Sequence, residues 1–185
     1  MNTDIDQRRG WPDELCVVLK DHPRDTWAET RSGMARFWIQ KHDYLRRQSA
    51  ALQSANDDYL SNRTEAGQFG NWIAPRLQGF LAELHGHHQI EDFHYFPAFR
   101  SAEPRLVAGF DVLARDHELI HTGIVAIVES INEFIKTLQP GSNDETQRRA
   151  ADRYVEASKL LHDRLGRHLE DEEDLIIPLM IRENA

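Results

Sequence analysis

Two stretches of eleven residues decide the fold of this chain: HHQIEDFHYFP at residues 87–97 and HLEDEEDLIIP at residues 168–178. Each places a glutamate four residues after a histidine, and a proline six residues after that glutamate. Residues four apart lie on one face of an α-helix, so His87 with Glu91, and His168 with Glu172, can direct both side chains at one point. The repeat indicates a duplicated helical hairpin with histidine and glutamate on its inward faces.

The chain around these stretches divides into four long segments that predict helices. In each segment, inward-facing side chains recur at alternating steps of three and four residues, the spacing of one helix face. Turn-forming residues separate the segments at 61–70, 101–104 and 139–144. Because short connections make consecutive helices antiparallel neighbours, we expect an all-α, up-down-up-down four-helix bundle with an N-terminal arm. The predicted helices cover about residues 25–60, 71–100, 105–138 and 146–182, the arm covers residues 1–24, and the bundle domain covers residues 25–185.

Composition restricts the class of protein. With 185 residues, 40% of them hydrophobic, the chain is long enough for one folded domain, and no apolar run approaches the roughly 20 residues of a membrane helix. A formal net charge of −9 argues against a nucleic-acid partner, because clustered lysine and arginine normally bind phosphates. The acidic N-terminus is unlike a secretory signal, and Cys16 is the single cysteine, so we expect a cytoplasmic protein without a membrane or nucleic-acid partner.

The other two predicted helices add histidines at the same height. His42 lies 19 residues before the connection at 61–70, and His87 lies 17 residues after it, which places both roughly 25 to 28 Å from that connection. The second and third connections bring His117 level with His87 and with His168 in the same way. The resulting layer contains five histidines and two glutamates: His42, His87, Glu91, His117, His121, His168 and Glu172.

A buried layer of this composition predicts a bound metal ion. Without a cation, its imidazoles and carboxylates would leave charges and hydrogen-bonding groups uncompensated, at several kcal/mol each. Histidine and carboxylate ligands without thiolate suit iron, zinc, copper or nickel, whereas calcium and magnesium prefer oxygen ligands alone. The ligand chemistry therefore predicts a transition-metal site and leaves the identity of the metal open.

The complete ordered set of motifs resembles the hemerythrin-like, or HHE cation-binding, family over about residues 30–182. The resemblance rests on His42, His87-x-x-x-Glu91, His117-x-x-x-His121 and His168-x-x-x-Glu172, in that order on four helices. It implies a non-haem di-iron centre with an oxo or hydroxo bridge. Carried over to this chain, it assigns His117, His121 and His168 to one iron, His42 and His87 to the other, and Glu91 and Glu172 to the bridging positions.

This assignment implies one open coordination position. If both irons prefer six ligands, the iron with three histidines is complete, and the iron of His42 and His87 has one free position. The resemblance implies that dioxygen, or a similar small diatomic molecule, binds there reversibly for oxygen carriage, storage or sensing. The alternatives are a di-iron enzyme that acts on nitric oxide or peroxide with an external reductase, and an iron donor or metal store.

Apolar residues next to the predicted ligands could form a dry pocket for a small ligand. They are equally compatible with ordinary core packing. The four candidates are Trp38, Leu45, Leu84 and Leu165.

Two residues make the predicted ligand set ambiguous. His94 lies three residues after Glu91 on the same predicted face, so we expect it to contact Glu91 from outside the ligand set, and direct metal binding is the alternative. Glu173 lies five residues after His168, where some hemerythrins have a bridging aspartate. We select Glu172 as the bridge because it corresponds to Glu91 in the repeat.

A ferritin-type site is a weaker interpretation of the same residues. Glu91 with His94, and Glu118 with His121, are two Glu-x-x-His pairs of the kind found in such di-iron bundles. That architecture requires glutamates at the same depth on the two other helices, and the first helix has none near His42. We expect the remaining histidines on the surface or in loops: His22, His85, His88 and His162.

Overall fold

Helices make up most of the described chain. The computed structural model describes residues 2–139 and 141–183, and within these ranges it has five α-helices and no β-strand. The prediction of an all-α fold is therefore confirmed. Met1, Pro140 and the last two residues of the predicted domain lie outside the described residues. The helices are α1 (Gly33–Leu60), α2 (Ala66–Ile90), α3 (Phe96–Ala102), α4 (Val107–Thr137) and α5 (Asp144–Arg182), with 3₁₀ turns at Arg24–Glu29 and Pro104–Leu106.

The first α-helix begins later than its sequence pattern predicts. Ser32 Oγ accepts a hydrogen bond from the backbone N–H of Ala35 (3.2 Å), which satisfies a donor at the start of the helix. Thr30 has extended backbone angles, and the preceding residues form only a 3₁₀ turn. The prediction of a helix from about residue 25 is therefore wrong at its beginning. At the other end of the chain, Asn143 Oδ1 accepts from the N–H of Thr146 (2.7 Å) at the start of α5.

The helix that carries the first quoted stretch changes its winding within that stretch. After α2, residues Glu91–Tyr95 form a π-helical turn, in which the N–H of Phe96 donates to the carbonyl of Glu91. A π-turn holds one residue more than an α-turn, so the residues that follow are rotated relative to the α-helical pattern. As a result Phe96 is buried, whereas His94 is exposed.

The first of two compact units contains both quoted stretches. It comprises the residues up to 44, residues 87–118 and the residues from 164 onward. Its apolar core takes side chains from the predicted N-terminal arm, including Leu15 and Val18, and from the helices. Gly109 allows α4 to approach α5 closely, because a Cβ at this position would lie 2.5 Å from Cδ1 of Leu175.

The second unit comprises residues 45–86 and 119–163. Its interior combines stacked aromatic rings, such as Tyr59 and Phe69 with centroids 4.6 Å apart, with buried polar side chains. Asn56 Nδ2 donates to Ser158 Oγ at 3.0 Å. Across residues 2–139 and 141–183, none of the helices has an apolar stretch of the length and low charge that crossing a membrane requires.

Candidate metal centre

Seven buried side chains of the first unit lie close together. α1 provides His42, α2 provides His87 and His88, the π-turn provides Glu91, α4 provides His117, and α5 provides His168 and Glu172. Four of them, His42, Glu91, His168 and Glu172, are completely buried, and the other three are at most 8% exposed.

These side chains form two groups that share one carboxylate. The first group is His42, His87, Glu91 and Glu172, and the second group is His88, Glu91, His117 and His168. Within each group, every residue offers a ligand atom that lies within 4.8 Å of the others. Each group therefore has the composition and spacing to hold one metal ion.

Both inward glutamates extend between the two groups. Glu91 Oε1 lies 2.9 Å from His87 Nε2, and Glu91 Oε2 lies 3.4 Å from His117 Nε2. Glu172 Oε1 lies 3.6 Å from His42 Nε2, and its Oε2 lies 3.2 Å from His168 Nε2. Each carboxylate thus directs one oxygen toward each group, which is the arrangement of a bridging ligand.

Several of the inward atoms have no hydrogen-bond partner. They are Nε2 of His42, His87 and His88, both carboxylate oxygens of Glu91, and Oε2 of Glu172. His87 Nε2 and Glu91 Oε1 are 2.9 Å apart, yet they are not aligned for a hydrogen bond. Unsatisfied buried groups of this kind are costly, whereas imidazole nitrogens and carboxylate oxygens are ligands for transition metals. The donor set therefore fits a metal centre.

Outer carboxylates face the Nδ1 atoms of three of these histidines. Glu173 Oε1 lies 3.0 Å from Nδ1 of His42, and Asp92 Oδ1 lies 2.8 Å from Nδ1 of His117. The third carboxylate, Asp116, faces Nδ1 of His168 with its Oδ2 at 3.6 Å, which is beyond hydrogen-bonding distance. A carboxylate at Nδ1 keeps the proton there and leaves Nε2 free for a metal.

The protonation of the metal-free centre differs between its members. Burial lowers the pKa of His87 to about 3 and that of His88 well below its usual value, so both are neutral at pH 7. Burial and the neighbouring Glu172 raise the pKa of Glu91. Burial opposes the charge of Glu172, but His42 and His168 outweigh it and lower its pKa. Neutral imidazole is the form that binds metal.

The buried side chain of Trp38 packs against the first group. It is 3% exposed, and its Nε1 donates to Glu172 Oε1 at 2.8 Å. Its ring centroid lies 6.1 Å from that of His42 and 5.9 Å from that of His87. Tyr95 packs edge-on against Trp38, with centroids 4.6 Å apart. The indole ring of Trp38 thus lies close both to the first group and to Tyr95.

Two histidines singled out from the sequence lie away from both groups. His121 is exposed in the second unit, where its ring centroid is 5.5 Å from that of His85. His94 is also exposed, because the π-turn rotates it away from the face that carries His87 and Glu91. The histidine of each predicted Glu-x-x-His pair is therefore outside the cluster, and the ferritin-type interpretation has no support in this geometry.

His88 occupies the place that the sequence assigned to His121. We expected His88 at the surface, but it is 5% exposed and its ring stacks on that of His117 with centroids 4.0 Å apart. A signal for it was available: His88 lies 13 residues before Ser101, and His117 lies 13 residues after Pro104. The spacing His88-x-x-Glu91 also places both on one helix face.

The other predicted residues divide between the two units. Glu173 belongs to neither group. Its Oε1 contacts Nδ1 of His42, so it does not take the bridging position between the two groups. Leu165 in the first unit is buried, as are Leu45 and Leu84 in the second. Their predicted role in a ligand pocket stays a prediction.

Comparison with known families agrees with this geometry. A search of curated proteins and a search of solved structures gave no match. The family described as hemerythrin HHE cation binding domain matches residues 33–182, which cover α1 through α5. Because the match covers most of the chain and includes every residue of the two groups, this chain belongs to the hemerythrin HHE cation-binding domain family.

Proposed function

We propose that this chain is a cytoplasmic non-haem di-iron protein that reversibly binds dioxygen or a similar small diatomic molecule, for oxygen carriage, storage or sensing. In this proposal the four long helical segments form an up-down-up-down bundle over residues 25–185, and residues 1–24 are an arm on it. The iron ligands are His42 and His87 on one side, His88, His117 and His168 on the other, and Glu91 and Glu172 between them.

The observation that carries the proposal is the position of the two glutamates between two groups of histidines. A site for a single ion would need only one of the groups. Here Glu91 belongs to both, and Glu172 places one oxygen near His42 and the other near His168. Two cations sharing two carboxylates would match all the unpaired inward oxygens of Glu91 and Glu172.

An unequal number of histidines supports binding of a small molecule on one side. The second group has three imidazoles and the first group has two. With both carboxylates shared, the side of His42 and His87 offers one protein ligand fewer. That side therefore has room for a ligand from outside the chain.

The surroundings of the first group favour a diatomic ligand over a larger substrate. His42 and Glu172 have no exposed surface, and the buried ring of Trp38 lies 6.1 Å from that of His42. Trp38 also holds Glu172 through its N–H, so the carboxylate keeps its orientation. When bound, a pair of iron ions supplies the reversible electron transfer that binding of dioxygen requires.

The test is metal analysis and optical spectroscopy of protein loaded with ferrous iron under argon. We expect two irons per chain and a visible spectrum that changes in air and returns under argon. Zinc-loaded protein is the control, because its filled d shell cannot give the change. Fewer than one iron per chain, or zinc in its place, would contradict the proposal.

Two other outcomes would assign a different function to the same centre. Irreversible oxidation with turnover of nitric oxide or peroxide would indicate an enzyme that depends on an external reductase. Two irons that leave readily to a chelator and give no spectral response to air would indicate an iron donor or metal store.

A further inference from the structure

The N-terminal arm inserts a fully buried arginine beside the second group. Arg8 is 1% exposed, although it belongs to a segment with little regular structure. Its Nη2 contacts Asp116 Oδ2 at 2.5 Å, and its Nε donates to Asp171 Oδ2 at 2.7 Å. Both carboxylates are at most 1% exposed. A guanidinium is suited to this position because its planar fork can serve two acceptors at once.

One of these carboxylates connects Arg8 to a metal ligand. Asp116 Oδ2, the atom that Arg8 contacts, also lies 3.6 Å from Nδ1 of His168. On the other edge of the ring, His168 Nε2 lies 3.1 Å from Nε2 of His117, inside the second group. The contacts therefore run from the arm through Asp116 and His168 to the metal centre.

Further contacts fix the arm around Arg8. Trp11 Nε1 donates to the backbone carbonyl of Asp171 at 2.7 Å, and the guanidinium of Arg8 lies 5.0 Å from the Trp11 ring centroid. On the other side, Arg164 binds Asp6 through two hydrogen bonds of 2.9 and 2.7 Å. Arg8 is thus held from both directions along the chain.

We propose that the N-terminal arm is a latch on the metal centre, in which Arg8 is a positioning residue that holds His168 toward the metal through Asp116. The inference rests on the proposed di-iron function. Without Arg8, Asp116 would be a buried carboxylate with one partner fewer, and it would move or take up water. His168 would then lose the carboxylate that faces its Nδ1. The metal of the second group would consequently be released faster than that of the first group.

The experiment measures how fast each iron leaves the loaded protein for a colorimetric ferrous chelator. For Arg8→Gln we expect one of two irons to leave roughly tenfold faster, at the lower end of the ten- to hundredfold effect of changing an outer partner of a metal ligand. Mössbauer spectra should show a change in only one of the two iron environments. Arg9→Gln is the matched control, because Arg9 is exposed and the same change there should have no effect.

A double-mutant comparison separates the latch from general stability. Asp116→Asn alone should speed release at least as much as Arg8→Gln, and adding Arg8→Gln to it should have no further effect. In an Asp171→Asn background, Arg8→Gln should keep its effect, because Asp171 does not contact His168. Should Arg8→Gln fail to fold, Arg8→Lys keeps the charge without the fork and should give a release rate faster than that of the unchanged chain.

Three results would overturn the proposal. The first is a folded Arg8→Gln protein that releases iron at the original rate. The second is an Arg8→Gln effect that is as large in the Asp116→Asn background as in the unchanged chain. The third is equally faster release of both irons. If Arg8→Lys is the folded variant measured, an unchanged rate overturns it equally. The metal content of the unchanged chain is measured first, so a failure of the di-iron proposal is recognised separately, and the latch is then rejected with it.

Discussion

Residues 87–97 and residues 168–178 share the same order of histidine, glutamate and proline, but only one of them stays α-helical throughout. In α5 the helix continues past Glu172, and Leu175 is 1% exposed in the core. In the first stretch the π-turn begins at Glu91, and the equivalent residue, His94, is exposed. One extra residue in the turn therefore changes which side chains face the interior.

The difference between the stretches also separates the roles of two adjacent residues. His87 belongs to the first group and His88 to the second, so neighbouring positions on α2 contribute to both groups. The residue equivalent to His88 in α5 is Leu169, which is buried as an apolar side chain. The repeat is therefore symmetric in its His-x-x-x-Glu spacing and asymmetric in the ligands that each stretch supplies.

Deleting one residue from each stretch should give the largest contrast. Phe93 and Asp174 are equivalent positions, two residues after Glu91 and Glu172. Deletion of Phe93, which is 72% exposed, removes the extra residue of the π-turn and should leave a folded protein. Deletion of Asp174 rotates the buried residues that follow by about 100°, so we expect it to cost more than about 4 kcal/mol and abolish cooperative unfolding. Thermal unfolding followed by circular dichroism would measure the stability of both variants. Equal losses of stability would contradict the claim that only the first stretch holds an extra residue.

Replacing two histidines tests which one completes the second group. His88→Ala should lower the iron content from two to one per chain, because His88 faces His117 and His168. His121→Ala should retain two irons, since that side chain is exposed. Metal analysis after gel filtration decides between them. If only His121→Ala loses iron, His121 is the ligand, as the resemblance to the family implies.

Exchanging the residue types at the two equivalent positions should affect stability unequally. Leu175→His places a polar ring in the core and should destabilise the protein by about 2–5 kcal/mol. His94→Leu changes an exposed side chain, so its effect should be within about 0.5 kcal/mol, with no change in the spectrum of the iron-loaded protein. Urea unfolding gives the two free energies. A spectral change in His94→Leu would show instead that His94 acts at the metal.

The smallest effect concerns Glu103, which follows α3 and accepts a hydrogen bond from Arg182 at the end of α5. Arg105 lowers the pKa of Glu103 to about 2 against the opposing effect of burial, and Arg182 at the end of α5 adds to this. Because the folded pKa is below the usual 4.5, the stabilisation is present above pH 4.5 and is lost as the pH falls toward 2. Glu103→Gln should cost at most about 1 kcal/mol at pH 7, since its arginine partners are partly exposed. Urea unfolding at pH 7 and pH 3 should show a smaller difference at pH 3, and a larger one would contradict the sign.

The sequence alone predicts the helices and most of the cluster for a simple physical reason. Side chains spaced by three or four residues share a helix face, and matched distances from the connections place His42, His87, His117 and His168 at one height. This reasoning identifies six of the seven residues of the two groups, with His88 as the exception. The predicted start of the first helix is too early, because the periodicity of a helix face does not show where a cap such as Ser32 begins the helix.

The misplacement of His94 follows from the assumption of uniform α-helical winding. The π-turn rotates His94 outward, and no rule based on 3.6 residues per turn anticipates it. His121 satisfies the i, i+4 rule with His117, yet it faces solvent. Arg8 carries no sequence signal, because the arm has no periodicity and the contacts of Arg8 with Asp116 and Asp171 join residues far apart in sequence.

Anomalous diffraction at the iron absorption edge, from crystals of the iron-loaded protein, would locate each iron and its ligands. We expect two iron peaks, one bound by His42 and His87 and the other by His88, His117 and His168, with Glu91 and Glu172 bound to both. A single peak, or a peak bound by His121 instead of His88, would contradict this expectation.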